Sequence, residues 1–230
     1  WNSMPDETLF DAAAAGLLQD PVELAAQAER MLDDPRSEGL VENLANQWLM
    51  GRIMKYVSPS PEHFPDFDET LRAAMIEEVH LFLGSFVAGN RSIRELLDSI
   101  DLYVNNRLRQ HYELPPGIEA FEHLIVHSTE RGGLLGQAGI LTALSPPTRT
   151  SPTRRGKWVL ERLLCDTVPP PPPGVTDSFQ TDFEGMEIQE MLALHVADPA
   201  CAACHQVMDP LGFGLGAFDG IGAWKDTFEG

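Results

Sequence analysis

The sequence predicts a mainly α-helical protein. Apolar residues recur every three or four positions through most of the first half, the spacing of one helix face. Two helix-starting dipeptides, Asp20-Pro21 and Ser151-Pro152, stand at the heads of such runs. A single short apolar run, Phe121 to Val126, reads as a strand, and the chain holds no internal repeat.

The first predicted helix has Asp20 as its cap and Pro21 at its first position, with Val22, Leu24, Ala25, Ala28, Met31 and Leu32 along its apolar face. Leu40, Val41, Leu44, Trp48 and Met54 mark a second face. The longest helix starts near Asp66 to Asp68, carries Leu71, Met75, Val79, Phe82 and Phe86 on one side, and is stopped by Gly89-Asn90. Ser92 caps a short helix through Leu97, with Glu95 three residues on completing a capping box. Asn105 to Tyr112 is one more short helix. The texture changes around Leu114-Pro-Pro-Gly117, and Arg131-Gly132-Gly133 to Gly139 is too rich in glycine to be helical before Ile140. Ser151 caps the next helix, whose later turns carry Trp158, Val159, Leu163 and Leu164. Pro169 to Pro173 is a stiff, extended run leading into the final segment. A helix is expected over Met186 to Val196. Asp198-Pro199 opens a short one, followed by a loop at Met208 to Gly212.

In 230 residues, 43% apolar and 22% charged side chains suffice for a sizeable core and exclude disorder throughout. Sixteen basic against 35 acidic residues give a formal charge of −19. Such a surface repels phosphate backbones and anionic lipids, which argues against nucleic acid and membrane surfaces as partners. No stretch approaches the roughly 20 apolar residues of a membrane span; the nearest, Leu81 to Ala88, is broken by Gly84 and Ser85. The chain opens at Trp1 with neither initiator Met nor signal peptide, which reads as an internal piece or a processed product.

Three cysteines cannot form a fully paired disulfide framework. Two stand in Cys201-Ala-Ala-Cys204-His205, a pattern that chance would place in roughly one such chain in a thousand. Haem c attachment needs two thiols about one helical turn apart, to add to two vinyl groups along one porphyrin edge. It also needs an imidazole directly after them, to swing under the iron. One covalent haem c is therefore the expected cofactor, with Cys201 and Cys204 as its thioethers and His205 as the proximal iron ligand. A redox dithiol and half of a zinc site are the alternatives. Zinc would need a further pair of ligands, for which His123 and His127 are the candidates; a dithiol would want a βαβ setting that is not evident.

Around this cluster the sequence offers several candidate contacts. A carbonyl of the Met208-Asp209-Pro210-Leu211-Gly212 loop is the candidate acceptor for the second ring nitrogen of His205, with Pro210 supporting it; a plain turn is the equal alternative. Phe213, Leu215, Phe218, Ile221 and Trp224 suffice to wall one haem face or to form ordinary core. Arg154 and Arg155, in the densest basic stretch, are candidates for pairing with the haem propionates, against a solvated helix face. Met208 lies three residues past His205 and cannot reach the opposite side of the iron. The distal candidates are thus His195, His127 and His123, while Met186 and Met191 read as core. Cys165 reads as a buried, inert thiol.

Trp1-Asn-Ser-Met-Pro-Asp6, Asp68 to Arg72, Arg131-Gly-Gly-Leu-Leu-Gly136, Thr148 to Lys157, Pro169 to Pro173 and the cluster at Cys201 together resemble a known family. This is the large secreted cytochrome-c-associated proteins of planctomycetes and myxobacteria, built of tandem domains of unknown function. The resemblance covers nearly the whole chain. It implies a helical domain over residues 1–128 and a small, loop-rich α-helical haem c domain over 129–230, with the Cys-x-x-Cys-His motif near its C-terminal end. It also implies a periplasmic, secreted or otherwise extracytoplasmic location, where haem c is attached, and further domains of the same protein as partners. It supplies no reaction. The expected function is an electron-transfer module of a larger redox protein or complex, its acidic surface meeting a partner that is basic at the contact. One alternative is a peroxidase- or oxidase-like haem enzyme with an open distal position, motivated by the lack of an evident distal methionine. Another is a non-catalytic binding or scaffold module in which residues 1–128 dock a partner.

Overall fold

A central helix organises the molecule. The computed structural model describes residues 1–49, 51–89, 91–127, 130–169, 190, 193, 196–197 and 199–225. Among these, helices dominate and the only strands are a two-stranded antiparallel pair. Helices α1 (Glu7–Ala14), α2 (Pro21–Asp33), α3 (Glu38–Trp48) and α4 (Gly51–Met54) lead to the 21-residue α5 (Glu69–Gly89). Short α6 (Glu95–Asp98), β1 (Asp101–Val104), α7 (Asn106–His111) and β2 (Glu122–Ile125) follow, then α8 (Ala138–Ala143), α9 (Pro152–Arg162) and α10 (Pro199–Phe213).

Local chemistry explains most of these elements. Asp20 caps α2 through Val22 N–H, Asp68 takes Leu71 N–H at the head of α5, Asn105 caps α7 and Ser151 caps α9. Helix α5 buries Leu71, Met75, Val79, Phe82, Leu83 and Phe86, each contributing about 2 kcal/mol of apolar burial. Val41, Ala45 and Leu49 meet it from the α3 side. Leu102 and Val104 of β1, with Leu108 of α7, pack near its start.

Several elements differ from the sequence expectation. Helix α1 was not foreseen; Asp6 starts it by accepting from Leu9 N–H while also pairing with Arg30. The Leu40–Met54 run is two helices, not one. The capping box at Ser92 does not form. Helix α6 begins at Glu95 itself, and the Glu95 carboxylate takes Arg91 instead. Strand β1 was also missed, whereas β2 lies where predicted, in register Asp101 with Ile125 through Val104 with Glu122. Helix α8 starts at Ala138, two residues ahead of expectation. Pro170 to Pro173 and most of the helix expected over Met186–Val196 lie outside the described residues.

The two halves of the chain share their interior. Leu134, Ile140, Leu144, Trp158 and Val159 from the second half join Val79, Phe82 and Phe86 of α5 in one core. Gly139 lies so close to the Met75 carbonyl that a Cβ there would force the backbones apart. Polar groups tie the same seam. Trp48 Nε1 donates to the Arg162 carbonyl at 2.8 Å, and His111 Nε2 bonds the Ile221 carbonyl at 2.9 Å. Buried Glu78, 1% exposed, accepts from Tyr112 OH at 2.6 Å, and Tyr112 OH accepts from Ala138 N–H at 3.1 Å. Arg131 lies over the Tyr112 ring at 3.8 Å and donates to the carbonyls of Gly136 and Gly222.

Candidate functional site

Cys201, Cys204 and His205 stand on α10, a 15-residue helix where a short one was expected. Positions 201, 204, 205, 208, 209 and 212 share one face at three- and four-residue spacing. Ala203, Gln206, Val207 and Pro210 form the exposed back. The segment from Met208 to Gly212 is therefore helical and not a loop. Pro210 has no N–H for the Gln206 carbonyl, but both residues face solvent, so water takes that carbonyl at little cost.

This face packs against α9 at unusually short range. Gly156 of α9 lies against the Met208 carbonyl and Gly212 of α10 against the Pro152 carbonyl; a Cβ at either would collide with backbone. The two glycines thus set a backbone-to-backbone crossing that no larger residue permits.

The crossing fixes the partner of His205. Its Nδ1 lies 2.9 Å from Asp209 Oδ2, one turn on along the helix. Asp209 is 4% exposed, and its other oxygen accepts from Thr153 Oγ1 of α9 at 3.0 Å. A carboxylate at Nδ1 places the ring proton there and makes Nε2 the lone-pair nitrogen, the one with which an imidazole can ligate a metal. The expected carbonyl acceptor near Pro210 is thereby corrected: the acceptor is the Asp209 side chain, and Pro210 points to solvent. The spacing of four residues between His205 and Asp209 is a sequence signal for this contact once the segment is read as helix. Thr153, 56 residues away from Asp209, carries no such signal.

Cys201 and Cys204 are both free thiols at half-buried positions. Two thiols one turn apart on a helix face, followed by an imidazole with its tautomer set, fit the attachment chemistry of haem c. Among the described residues, no three His, Cys, Asp or Glu side chains gather as they would around a zinc ion.

The remaining candidates scatter. Arg155 is fully buried and donates to the carbonyls of Leu215 (2.8 Å), Phe218 (2.7 Å) and Asp219 (2.5 Å). Burial lowers it to about 10, against the pull of Asp219. Its guanidinium holds the chain that follows α10 and is not presented to a propionate, which corrects that expectation. Arg154 is exposed on α9. Phe218 and Ile221 pack inward as core. His123, on β2, bonds Asp101 Oδ1 through Nε2 at 2.6 Å and stacks on Tyr103. His127 is exposed after β2, and His195 lies outside the described residues, as do Met186 and Met191. Cys165 is exposed, not buried, in a left-handed backbone conformation just after α9.

Sequence reasoning also passed over the buried histidine of the seam. Burial pushes His111 down to about 4, helped by the Arg131 charge and opposed by its bond to the Ile221 carbonyl. It is neutral at physiological pH and donates from Nε2, a structural role. No signal in the sequence distinguishes it from the exposed histidines.

No curated protein and no solved structure matches the chain. Residues 1–114 match the model of a family described as PSD4, protein of unknown function (DUF1592). Residues 131–228, which include α8, α9, α10 and the Cys201 cluster, match that described as PSCyt3, protein of unknown function (DUF1588). The two matches follow one another along the chain and together span nearly all of it, and both families are described as of unknown function.

Proposed function

We propose that the chain is a c-type cytochrome module that carries electrons within a larger extracytoplasmic redox protein or complex. The observation that carries this reading is the single helix face on which Cys201, Cys204 and His205 stand in attachment order, with the His205 proton held on Nδ1 by Asp209. The cytochrome association in the name of the second family supports it. A bound haem would supply a one-electron couple. Within this reading, Cys201 and Cys204 would hold it through thioethers, each S–H adding across one vinyl C=C bond with no net oxidation. His205 would offer Nε2 to the iron. The −19 charge favours an electron partner that is basic at the contact, and exposed Arg154 remains the candidate for a propionate contact.

A pyridine haemochrome spectrum and an intact mass test the reading, on protein matured in a host competent for cytochrome c. The expected result is a c-type α band and the added mass of one haem, lost in the double variant Cys201→Ala/Cys204→Ala. An unmodified wild-type mass overturns it.

A second reading, an oxidase- or peroxidase-like enzyme, is favoured by one feature, the anionic partner of His205, which pushes electron density toward a proximal ligand. Turnover of hydrogen peroxide by the haem-loaded chain separates it from plain electron transfer.

A further inference from the structure

We propose that Asp209 and Thr153 form a two-residue device that sets the electron affinity of the site, with Asp209 as the positioning residue of His205 and Thr153 as its attenuator. The inference rests on the haem c reading above and deepens it.

The geometry carries the argument. Asp209 is buried in the α9–α10 crossing and addresses His205 Nδ1 with one oxygen at 2.9 Å and Thr153 with the other at 3.0 Å. Among the described residues these are its only side-chain partners, and no lysine or arginine lies within ion-pair distance of it. Its negative charge is therefore directed at the histidine instead of being cancelled locally. The ring transmits this charge: a hydrogen bond from Nδ1–H to a carboxylate enriches Nε2 in electron density, and a buried charge acts through a low dielectric. Whatever metal Nε2 holds is stabilised in its more positive oxidation state. One electron from an external reduced mediator converts ferric iron to ferrous, with no bond made or broken, and the nearby anion opposes that step.

Thr153 works in the opposite sense. Its hydroxyl donates to the same carboxylate and draws charge away from the His205 side. Gly156 and Gly212 fix its distance, because they let the two backbones touch and leave the helices no freedom to slide apart without losing that contact.

The opposition gives a test that a merely structural role cannot imitate. Asp209→Asn keeps the size and an acceptor oxygen but removes the charge; Thr153→Val keeps the shape but removes the donor. Mediated spectroelectrochemical titration of the haem-loaded chain at one fixed pH should show the Asn variant reduced more easily. Its ferrous-to-ferric ratio should rise at least tenfold at a given potential, which is 59 mV or more for a one-electron couple. The Val variant should shift the other way, by less. Packing damage would move both variants in the same direction and would overturn the inference. A potential unchanged in Asp209→Asn would overturn it too, while the haem reading survives. A second readout needs no haem: long-range 1H–15N correlation on the unloaded chain should find the His205 ring protonated at Nδ1 in wild type and Thr153→Val. A ring protonated at Nε2 alone would overturn the inference. Wild-type protein that takes up no haem overturns the function reading first, and its mass distinguishes that failure from the others.

Discussion

Among the described residues, two histidine–aspartate pairs differ in the ring nitrogen used, in burial and in the surroundings of the acid. His205 and Asp209 lie on one helix, with side chains 16% and 6% exposed, and meet through Nδ1. His123 lies on β2 and reaches Asp101 across the sheet through Nε2, its side chain 47% exposed. Using Nδ1 for the carboxylate commits the ring nitrogen nearer the backbone and leaves the lone pair on the outer one. Using Nε2 commits that outer nitrogen and leaves the one crowded by the main chain. The carboxylates differ as well. Asp101 also accepts from Ser99 Oγ at 2.6 Å and from Arg91 at 2.7 Å. Burial raises its carboxyl, but the bonds from Ser99, His123 and Arg91 outweigh this and hold it below its usual value. Among the described residues, the same residue pair thus stands apart from any cation in one place and is one strut of a charge network in the other. Pair chemistry alone does not identify a site; the nitrogen used and the neutralisation of the acid do.

The comparison breaks most severely at the crossing beneath the buried pair. Gly156→Ala should destabilise the fold by about 3 kcal/mol, since the new methyl meets the Met208 carbonyl and the helices must separate. Urea unfolding measures it, and the His205 tautomer should be lost along with the contact to Asp209. Equal stability of the variant would mean that the helices are not held at that distance.

A buried glutamate sharpens the contrast. Burial pushes Glu78 up to about 7, against the Tyr112 hydrogen bond and the Arg131 charge. The folded state therefore holds a proton that the unfolded chain, near 4.5, has released. Stability from this group is complete below about pH 4.5, falls as pH rises, and is lost above about 7, a span of about 3 kcal/mol. His111 acts oppositely, because its folded value near 4 lies below the ordinary 6.5, so it costs stability as pH falls from 6.5 to 4. Glu78→Gln should leave only the His111 trend. Relative to wild type, its unfolding free energy should rise by about 3 kcal/mol between pH 4.5 and 7.5. A difference independent of pH would mean Glu78 is ionised throughout.

At the exposed pair the effects shrink. Asp101→Asn should cost about 1–2 kcal/mol, because Arg91 keeps Glu95 and loses its better partner. It should leave any haem potential where it is; a shift as large as that of Asp209→Asn would erase the distinction between the two pairs. His123→Ala should cost under about 1 kcal/mol in a thermal or urea melt, as an exposed pair contributes little.

Much of this was legible in the residues. The long helices announced themselves by spacing and caps, and α2, α5, α7 and α9 begin at or near their predicted residues. The Cys201 cluster was plain because Cys-x-x-Cys-His is an order that chance seldom produces. What escaped depended on distant partners. Strand β1 is four residues long and acquires its identity from β2, more than 20 residues later. The burial of Arg155 follows from carbonyls 60 to 64 residues away that no periodicity reveals. Asp209 was hidden for a different reason. Proline and glycine at positions 210 and 212 signal a turn, yet Pro210 lies on the wet side of the helix and Gly212 serves the crossing, so both fit inside α10.

The common interior has a practical consequence for anyone handling the gene. Cutting between residues 114 and 131, where the two family matches part, would leave α5 without Ile140, Leu144 and Trp158 on one fragment and bare those same side chains on the other. Each product would carry a torn apolar face and, on the first, a sequestered glutamic acid suddenly wetted. A unit that keeps the cysteine helix in its native setting therefore includes both matched regions.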